Sequence, residues 1–234
     1  MIYTPPGYET SSESYPVLYL LHGGGGDEEA WISRGRTNYI LDNLIAQGKA
    51  RPMIVVIPNG NASATSAPGE TPLALRLKQN GGTMRSPGAM TGEKIPESLV
   101  KDLIPFIEAS YRVKASKEYR ALAGLSMGGY QTQRTSNLYP VQFDYLGVMS
   151  MGLYSMFGSY DKEEHLAQLK ALEKADPRLY WIACGKTDFL YQSVVDLLKF
   201  YDEIGFEYTY RESEGGHSWN NWRLYLSEFA PMLF

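Results

Sequence analysis

The sequence predicts an α/β fold with a mainly parallel central sheet and helices on both of its faces. Short apolar runs of strand length alternate with longer stretches in which apolar residues recur at helical spacing. Residues 16–21 and 53–58 are almost continuously apolar, as strands are when helices cover both faces of a sheet. Repeated strand–helix units form parallel sheets through right-handed crossovers. No internal repeat or linker divides the 234 residues, so we expect a single domain spanning 1–234.

The remaining elements follow from local patterns along the chain. The helix at 39–47 has Asn38 as its expected N-cap and Gly48 as its expected stop. Pro105 is expected to kink or divide the helix at 96–111, because proline lacks a backbone N–H. Further strands are predicted at 120–125, 145–149, 178–184 and 206–212, and further helices at 127–139, 161–175, 191–204 and 219–234.

Residues 59–95 break this alternation. The segment is rich in Gly, Pro, Ser, Thr and Asn and has few large apolar side chains. A loop of this length in a compact domain is usually functional or disordered.

The composition argues against several classes of protein. There are 22 basic and 26 acidic residues, a net charge of −4, whereas nucleic-acid binders need a basic face. Cys184 is the only cysteine, so neither an internal disulfide nor a zinc site of the CxxC type is possible. No apolar stretch approaches the roughly 20 residues of a membrane span, and no secretory signal follows Met1. We therefore expect no metal, cofactor, nucleic-acid or membrane partner, and leave the oligomeric state open.

Residues 124–128 form a G-x-S-x-G pentad, Gly-Leu-Ser-Met-Gly. The pentad alone is a weak signal in a chain with 23 glycines. Its position strengthens it, because it lies where the predicted strand at 120–125 meets a helix, as a nucleophile elbow requires. Ser126 is therefore the candidate nucleophile, against the alternative of a glycine-rich turn with a capping serine.

A nucleophilic serine needs a base, and the chain has three histidines. His165 lies on a helix among charged residues and is interpreted as solvated surface. His22 precedes a glycine run near the start of the chain, before the serine. Only His217 follows Ser126 in a loop after a predicted strand, in the order Ser, acid, His that the α/β-hydrolase fold uses. We assign His217 as the base, with a structural histidine as the alternative.

The acid is expected between these two residues, after the penultimate strand. Asp188 follows the strand at 178–184 and is the candidate, and Glu214 is the fallback. A carboxylate there would accept the second imidazole N–H and stabilise the imidazolium. The oxyanion hole would use the backbone N–H of Met127 and one from the loop His22-Gly23-Gly24-Gly25-Gly26, where we favour Gly24.

The motifs together resemble carbohydrate esterase family 1, the feruloyl and acetyl xylan esterases of the esterase D-like group. The segments that carry the resemblance span nearly the whole chain: Tyr-Thr-Pro-Pro-Gly-Tyr at 3–8, Tyr-Pro-Val-Leu-Tyr-Leu-Leu-His-Gly at 15–23, Gly-Leu-Ser-Met-Gly-Gly at 124–129, Ala-Cys-Gly-Lys-Thr-Asp at 183–188 and Gly-Gly-His-Ser-Trp at 215–219.

The resemblance implies the α/β-hydrolase fold and hydrolysis of feruloyl esters on plant cell-wall polysaccharide by a secreted or periplasmic enzyme. It also implies that the chain lacks N-terminal strands of the family's domain and that the 59–95 loop lies near the substrate. Aromatic rings suit a phenolic acyl group or a sugar. Trp31, Trp219 and Tyr130 are therefore candidate substrate-binding residues, although Trp31 and Trp222 equally fit a packing role.

Other functions stay open at this point. Within the hydrolases these are acetyl xylan esterase, S-formylglutathione hydrolase, siderophore esterase and polyester hydrolase. Acyl transfer of the mycolyltransferase type is a further alternative, and the third is a non-catalytic carbohydrate-binding relative, against which the complete set of Ser126, Asp188 and His217 argues.

Overall fold

The computed structural model describes residues 1–60, 94–153 and 160–234. All but the ends of the predicted 59–95 loop lie outside these ranges. The strands in chain order are β1 (Ile2–Tyr3), β2 (Val17–Leu21), β3 (Ile54–Val56), β4 (Arg120–Leu125), β5 (Tyr145–Met149), β6 (Leu179–Gly185) and β7 (Thr209–Ser213). In the described ranges they form one seven-stranded sheet in the order β1-β3-β2-β4-β5-β6-β7.

The prediction of a mainly parallel α/β sheet is confirmed. β1 pairs with β3 in the antiparallel sense, and every other pairing is parallel. β4 is the central strand, and its end pairs with the ends of both neighbours, Leu21 opposite Gly124 and Leu125 opposite Met149. The loops that follow β2, β4, β5, β6 and β7 therefore meet at one edge of the sheet, where ligands bind in open α/β folds.

Helices cover both faces of this sheet. They are α1 (Ala30–Ser33), α2 (Thr37–Ala46), α3 (Ile95–Ser98), α4 (Ile104–Ser110), α5 (Met127–Leu138), α6 (Lys162–Lys174), α7 (Tyr191–Ile204) and α8 (Trp219–Phe229). Alternate side chains of β2 enter opposite layers, as the period of two in a strand requires. Leu18 belongs to the core layer that contains residues of α2 and α8, whereas Val17 belongs to the layer that contains residues of α4, α6 and α7.

One prediction about the helices is confirmed and another is wrong. Pro105 does divide its helix, since a π-helical turn at Leu99–Leu103 separates α3 from α4. The expected N-cap at Asn38 is wrong: α2 begins at Thr37, after Arg36 with φ 58°. The Thr37 hydroxyl is turned inward and donates to the carbonyl of Trp31 at 2.8 Å. A buried tertiary contact thus replaces the side-chain cap. The short elements β1 and α1 were not predicted.

Candidate active site

Ser126 occupies a sharp turn between β4 and α5. Its backbone has φ 54° and ψ −119°, a conformation that a residue with a side chain rarely adopts. The turn persists because neighbouring backbones come very close together. A Cβ on Gly128 would lie 2.6 Å from the carbonyl oxygen of Leu21, and one on Gly124 would overlap the backbone of Gly128. The two flanking glycines of the pentad are therefore required by contact distance, and the turn has the backbone strain of a nucleophile elbow.

Backbone hydrogen bonds fix the serine at this turn. The Ser126 N–H donates to the carbonyl of Met149 at 2.8 Å, and the Ser126 carbonyl accepts from Tyr130 in the first turn of α5 at 3.1 Å. Ser126 precedes Met127, the first residue of the helix, so its side chain stands beside helix N–H groups that lack an intrahelical acceptor. These groups favour negative charge near the serine.

The structure brings His217 and Asp188 together. The Nδ1 atom of His217 lies 3.0 Å from Oδ1 and 2.9 Å from Oδ2 of Asp188. The Asp188 side chain is completely buried, and its Oδ1 also accepts the Leu190 N–H at 2.9 Å. Burial alone would raise the pKa of Asp188, but hydrogen bonds from His217, Leu190 and Ser150 outweigh it and hold the pKa below its usual range. Asp188 is therefore an anion aimed at His217.

Glu214, the fallback for the acid, is directed elsewhere. Its carboxylate pairs with the Lys186 ammonium at 2.7 Å and is 83% exposed to solvent. The two acidic side chains thus differ sharply in burial, and Asp188 is the one in contact with the imidazole.

Ser126 and His217 line the same cleft of about 530 Å³. Its walls come from the glycine loop after β2, from α1 and from the start of α8, including Trp219. Among the described residues no hydrogen bond joins the Ser126 hydroxyl to His217. Such contacts are often long in the absence of substrate and shorten when it binds.

The glycine loop after β2 packs directly on the serine. A Cβ on Gly23 would lie 3.3 Å from the Cβ of Ser126. The loop turns through a hydrogen bond from the Gly26 N–H to the Gly23 carbonyl at 3.1 Å, with Gly25 at φ 74°. Gly24 lies in this turn and lines the cleft. Its amide and that of Met127 remain the proposed oxyanion donors.

His22 has a structural position beneath this loop. The ring is fully buried, with Nδ1 2.8 Å from the Gly23 carbonyl and Nε2 accepting the Gly60 N–H at 2.9 Å. This pattern requires the neutral ring to carry its proton on Nδ1. His22 therefore ties the glycine loop to the loop that follows β3.

The interpretation of His165 as solvated surface is wrong. The residue is fully buried, its Nδ1 lies 3.0 Å from the Tyr160 hydroxyl, and its ring packs on Phe200. Burial lowers the pKa of His165 to about 4. The sequence does contain the signal, because His165 shares a helical face with Leu169 and Leu172, four and seven residues on.

The aromatic candidates differ in position. Trp31 is fully buried, and its indole N–H donates to the Leu21 carbonyl at 3.0 Å. The prediction of substrate contact is therefore wrong for Trp31, which instead supports Trp219 edge-on at a centroid distance of 5.3 Å. Trp219 does line the cleft. Tyr130 lies in the first turn of α5, is 9% exposed and packs in the core, and its contact with substrate stays a prediction.

Two residues that lie near His217 or its partner Asp188 were not identified from the sequence. Phe189 is 74% exposed, and its ring centroid lies 4.4 Å from that of His217. Ser150 follows β5, is fully buried and has φ 51°. Phe189 is detectable as the neighbour of Asp188, but only the fold shows that Ser150 lies close to the same carboxylate.

The described ranges hold neither a candidate metal centre nor a candidate membrane-spanning helix. Residues 1–60, 94–153 and 160–234 contain no group of three or more His, Cys, Asp or Glu side chains arranged to hold a metal ion. Over the same ranges, every helix is too short or too polar to cross a membrane.

The sheet topology and the elbow define an α/β-hydrolase. Residues 1–233 match the family described as "Putative esterase", and the chain belongs to this esterase family.

Relatives of known name agree with this membership. An endo-1,4-beta-xylanase/feruloyl esterase of Xylanibacter ruminicola is 32% identical over 238 residues, covering 100% of this chain but 29% of that protein. An acetyl esterase of Caldicellulosiruptor saccharolyticus is 25% identical, over 94% of this chain and 83% of that protein. A solved ferulic acid esterase of Anaeromyces mucronatus superposes with a TM-score of 0.79 at 22% identity, covering 100% of this chain and 84% of the other.

Proposed function

We propose that this chain is a serine carboxylesterase with Ser126 as nucleophile, His217 as general base and Asp188 as the residue that orients His217. One observation carries the proposal: a buried carboxylate is hydrogen-bonded to a histidine that shares a cleft with a serine on a strained elbow. A structural histidine would need no nucleophile beside it.

The geometry suits a two-step acyl transfer. His217 Nε2 takes the proton as Ser126 Oγ attacks the ester carbonyl, and Asp188 holds the Nδ1 proton in place and stabilises the imidazolium. The imidazolium then protonates the departing alcohol, which leaves an acyl group on Ser126. Water attacks this acyl-enzyme with His217 again as base, and the free acid leaves.

The developing oxyanion needs donors fixed before the reaction. The N–H of Met127 opens α5 next to the serine, and Gly24 lies in the loop packed on Ser126. Because the loop is restrained by His22 and by its own turn, its amides are preorganised rather than recruited by the substrate.

We propose hydroxycinnamoyl esters of plant cell-wall polysaccharide as the substrate class. The names of the Xylanibacter and Anaeromyces proteins support this assignment. Trp219 offers the cleft an aromatic wall, against which a planar phenolic acyl group buries more apolar surface than an acetyl group. Such a substrate also implies action outside the cytoplasm, which fractionation of the source cells would test.

Acetyl ester hydrolysis is the second candidate. It is supported by the acetyl esterase relative, of which this chain covers 83%. The cleft is also lined by polar and glycine residues that do not by themselves demand a large acyl group.

A substrate panel separates these possibilities. Methyl ferulate, naphthyl acetate and acetylated xylan would be compared by kcat/KM, the quantity that measures discrimination. We expect methyl ferulate to be preferred. Equal or better turnover of the acetyl esters would refute the hydroxycinnamoyl assignment while leaving the serine esterase intact. Ser126→Ala on the same panel provides the background rate.

A further inference from the structure

Ser150 stands at a strained position beside the candidate acid. It is the residue after β5, and its φ of 51° lies in the left-handed region that disfavours residues with a side chain. It is fully buried, and its N–H donates to the Ala183 carbonyl at 2.7 Å. Glycine or asparagine would adopt this backbone more readily, so the hydroxyl is the feature of Ser150 that calls for an explanation.

The hydroxyl bridges an indole and a carboxylate. Trp222 Nε1 donates to Ser150 Oγ at 3.0 Å. An indole N–H is a donor only, so the hydroxyl must accept this bond and keeps its own hydrogen for another partner. Hydrogen bonding from the Ser150 side chain is one of the causes that lower the pKa of Asp188, so this carboxylate is the acceptor to which we assign the remaining hydrogen of the hydroxyl.

Trp222 also contacts His217, so Ser150, Asp188, His217 and Trp222 form a closed set of contacts. The Trp222 side chain packs edge-on against His217, with centroids 4.9 Å apart and the planes at 88°. Trp222 thus touches the imidazole directly and reaches the carboxylate through Ser150. Asp188 in turn accepts from His217, Ser150 and the Leu190 N–H. Two donors independent of His217 therefore fix the plane of the carboxylate that His217 meets.

We infer that Ser150 is a positioning residue, which together with Trp222 holds the Asp188 carboxylate in the plane that orients His217. The inference rests on the proposed function, since it acts through the same base. Outer-shell partners of metal-ligating residues typically affect activity by 10- to 100-fold, and we expect an effect of the same order here. Loss of the hydroxyl should lower kcat by that order, while KM, set by contacts in the cleft, should change by less than about twofold.

A pair of substitutions separates positioning from stability. Ser150→Ala removes the hydroxyl and keeps the strained backbone, whereas Ser150→Gly removes the hydroxyl and relieves the strain. If the hydroxyl positions Asp188, both variants lose kcat equally, although Ser150→Gly unfolds at the higher temperature. If Ser150 serves stability alone, Ser150→Gly recovers wild-type kcat and overturns the inference. Ser136→Ala is the matched control and should keep full activity, because Ser136 is also buried but its hydroxyl donates to the Gln133 carbonyl.

A double-mutant cycle tests the route through Asp188. Naphthyl acetate hydrolysis would be measured for Ser150→Ala, Asp188→Asn and the double variant. We expect Ser150→Ala to cost less than about twofold once Asp188 is replaced, because coupled residues are not additive. Equal losses in both backgrounds would refute the positioning role. Failure of the proposed function is distinct, since Asp188→Asn would then itself leave kcat unchanged.

Discussion

Replacement of Asp188 by asparagine is the sharpest single change to the candidate site. The substitution keeps the shape and removes the charge from a side chain that has no solvent access. Oδ1 accepts the Leu190 N–H at 2.9 Å, so the amide oxygen should occupy that position. The amide NH₂ then takes the place of Oδ2, which lies 2.9 Å from His217 Nδ1.

This exchange reverses the hydrogen bond to the imidazole. An NH₂ group can only donate, so at the closer Oδ2 position it favours Nδ1 as an acceptor, in competition with the 3.0 Å contact to Oδ1, and shifts the ring proton towards Nε2. Nε2 then cannot accept the proton of Ser126. In Ser-His-Asp triads this change lowers kcat by about 10⁴, or about 5 kcal/mol of transition-state stabilisation.

Steady-state hydrolysis of naphthyl acetate measures the effect, with circular dichroism to confirm folding. Glu214→Gln is the matched control, because this exposed carboxylate pairs with Lys186 rather than with His217. We expect the control to retain full kcat. A loss of less than tenfold for Asp188→Asn, or a larger loss for Glu214→Gln, would refute the assignment of the acid.

Three further predictions concern His165, Trp31 and Phe189. Burial gives His165 a pKa of about 4, against 6.5 in the unfolded chain, so the unfolded state binds more protons at pH values between the two. The free energy of unfolding should therefore fall by up to about 3 kcal/mol as the pH drops from 6.5 towards 4. Urea unfolding should show a flatter pH dependence for His165→Phe than for the wild type. Trp31→Phe leaves the Leu21 carbonyl without its indole donor, so it should lower the free energy of unfolding by about 1–3 kcal/mol and leave KM unchanged. A raised KM at constant stability would instead show that Trp31 binds substrate. Phe189→Ala should change the free energy of unfolding by less than about 0.5 kcal/mol, because the ring is 74% exposed. It should nevertheless lower kcat/KM severalfold, because it uncovers His217. Unchanged kinetics would exclude Phe189 from the site.

The sheet and the order of the site residues were predictable because both depend on local pattern. Continuous apolar runs mark β2 to β6, and the pentad lies at a strand–helix junction. The two-residue β1 and the four-residue α1 are too short to show a period. Asn38 failed as a cap because the Thr37 hydroxyl found a buried partner on Trp31, a tertiary contact that overrides local preference.

The environment of the site was less accessible to sequence reasoning. Trp31 and Trp219 are equally aromatic, and only packing shows that one is buried and the other lines the cleft. Ser150 lies 72 residues from its donor Trp222, so no spacing rule connects them. The prediction that His165 is exposed was wrong because its sequence neighbours are charged, although the residue belongs to an apolar face of its helix.

The central claim, that Ser126 is the nucleophile, is tested most directly by covalent labelling. The purified protein would be treated with a serine-directed fluorophosphonate, digested and analysed by mass spectrometry, with hydrolysis of naphthyl acetate followed in parallel. We predict one adduct, on Ser126, with activity lost in proportion to labelling, and neither adduct nor activity in a folded Ser126→Ala variant, whose kcat should fall by about 10⁶. An adduct on another serine, or activity above a few per cent in Ser126→Ala, would contradict the account.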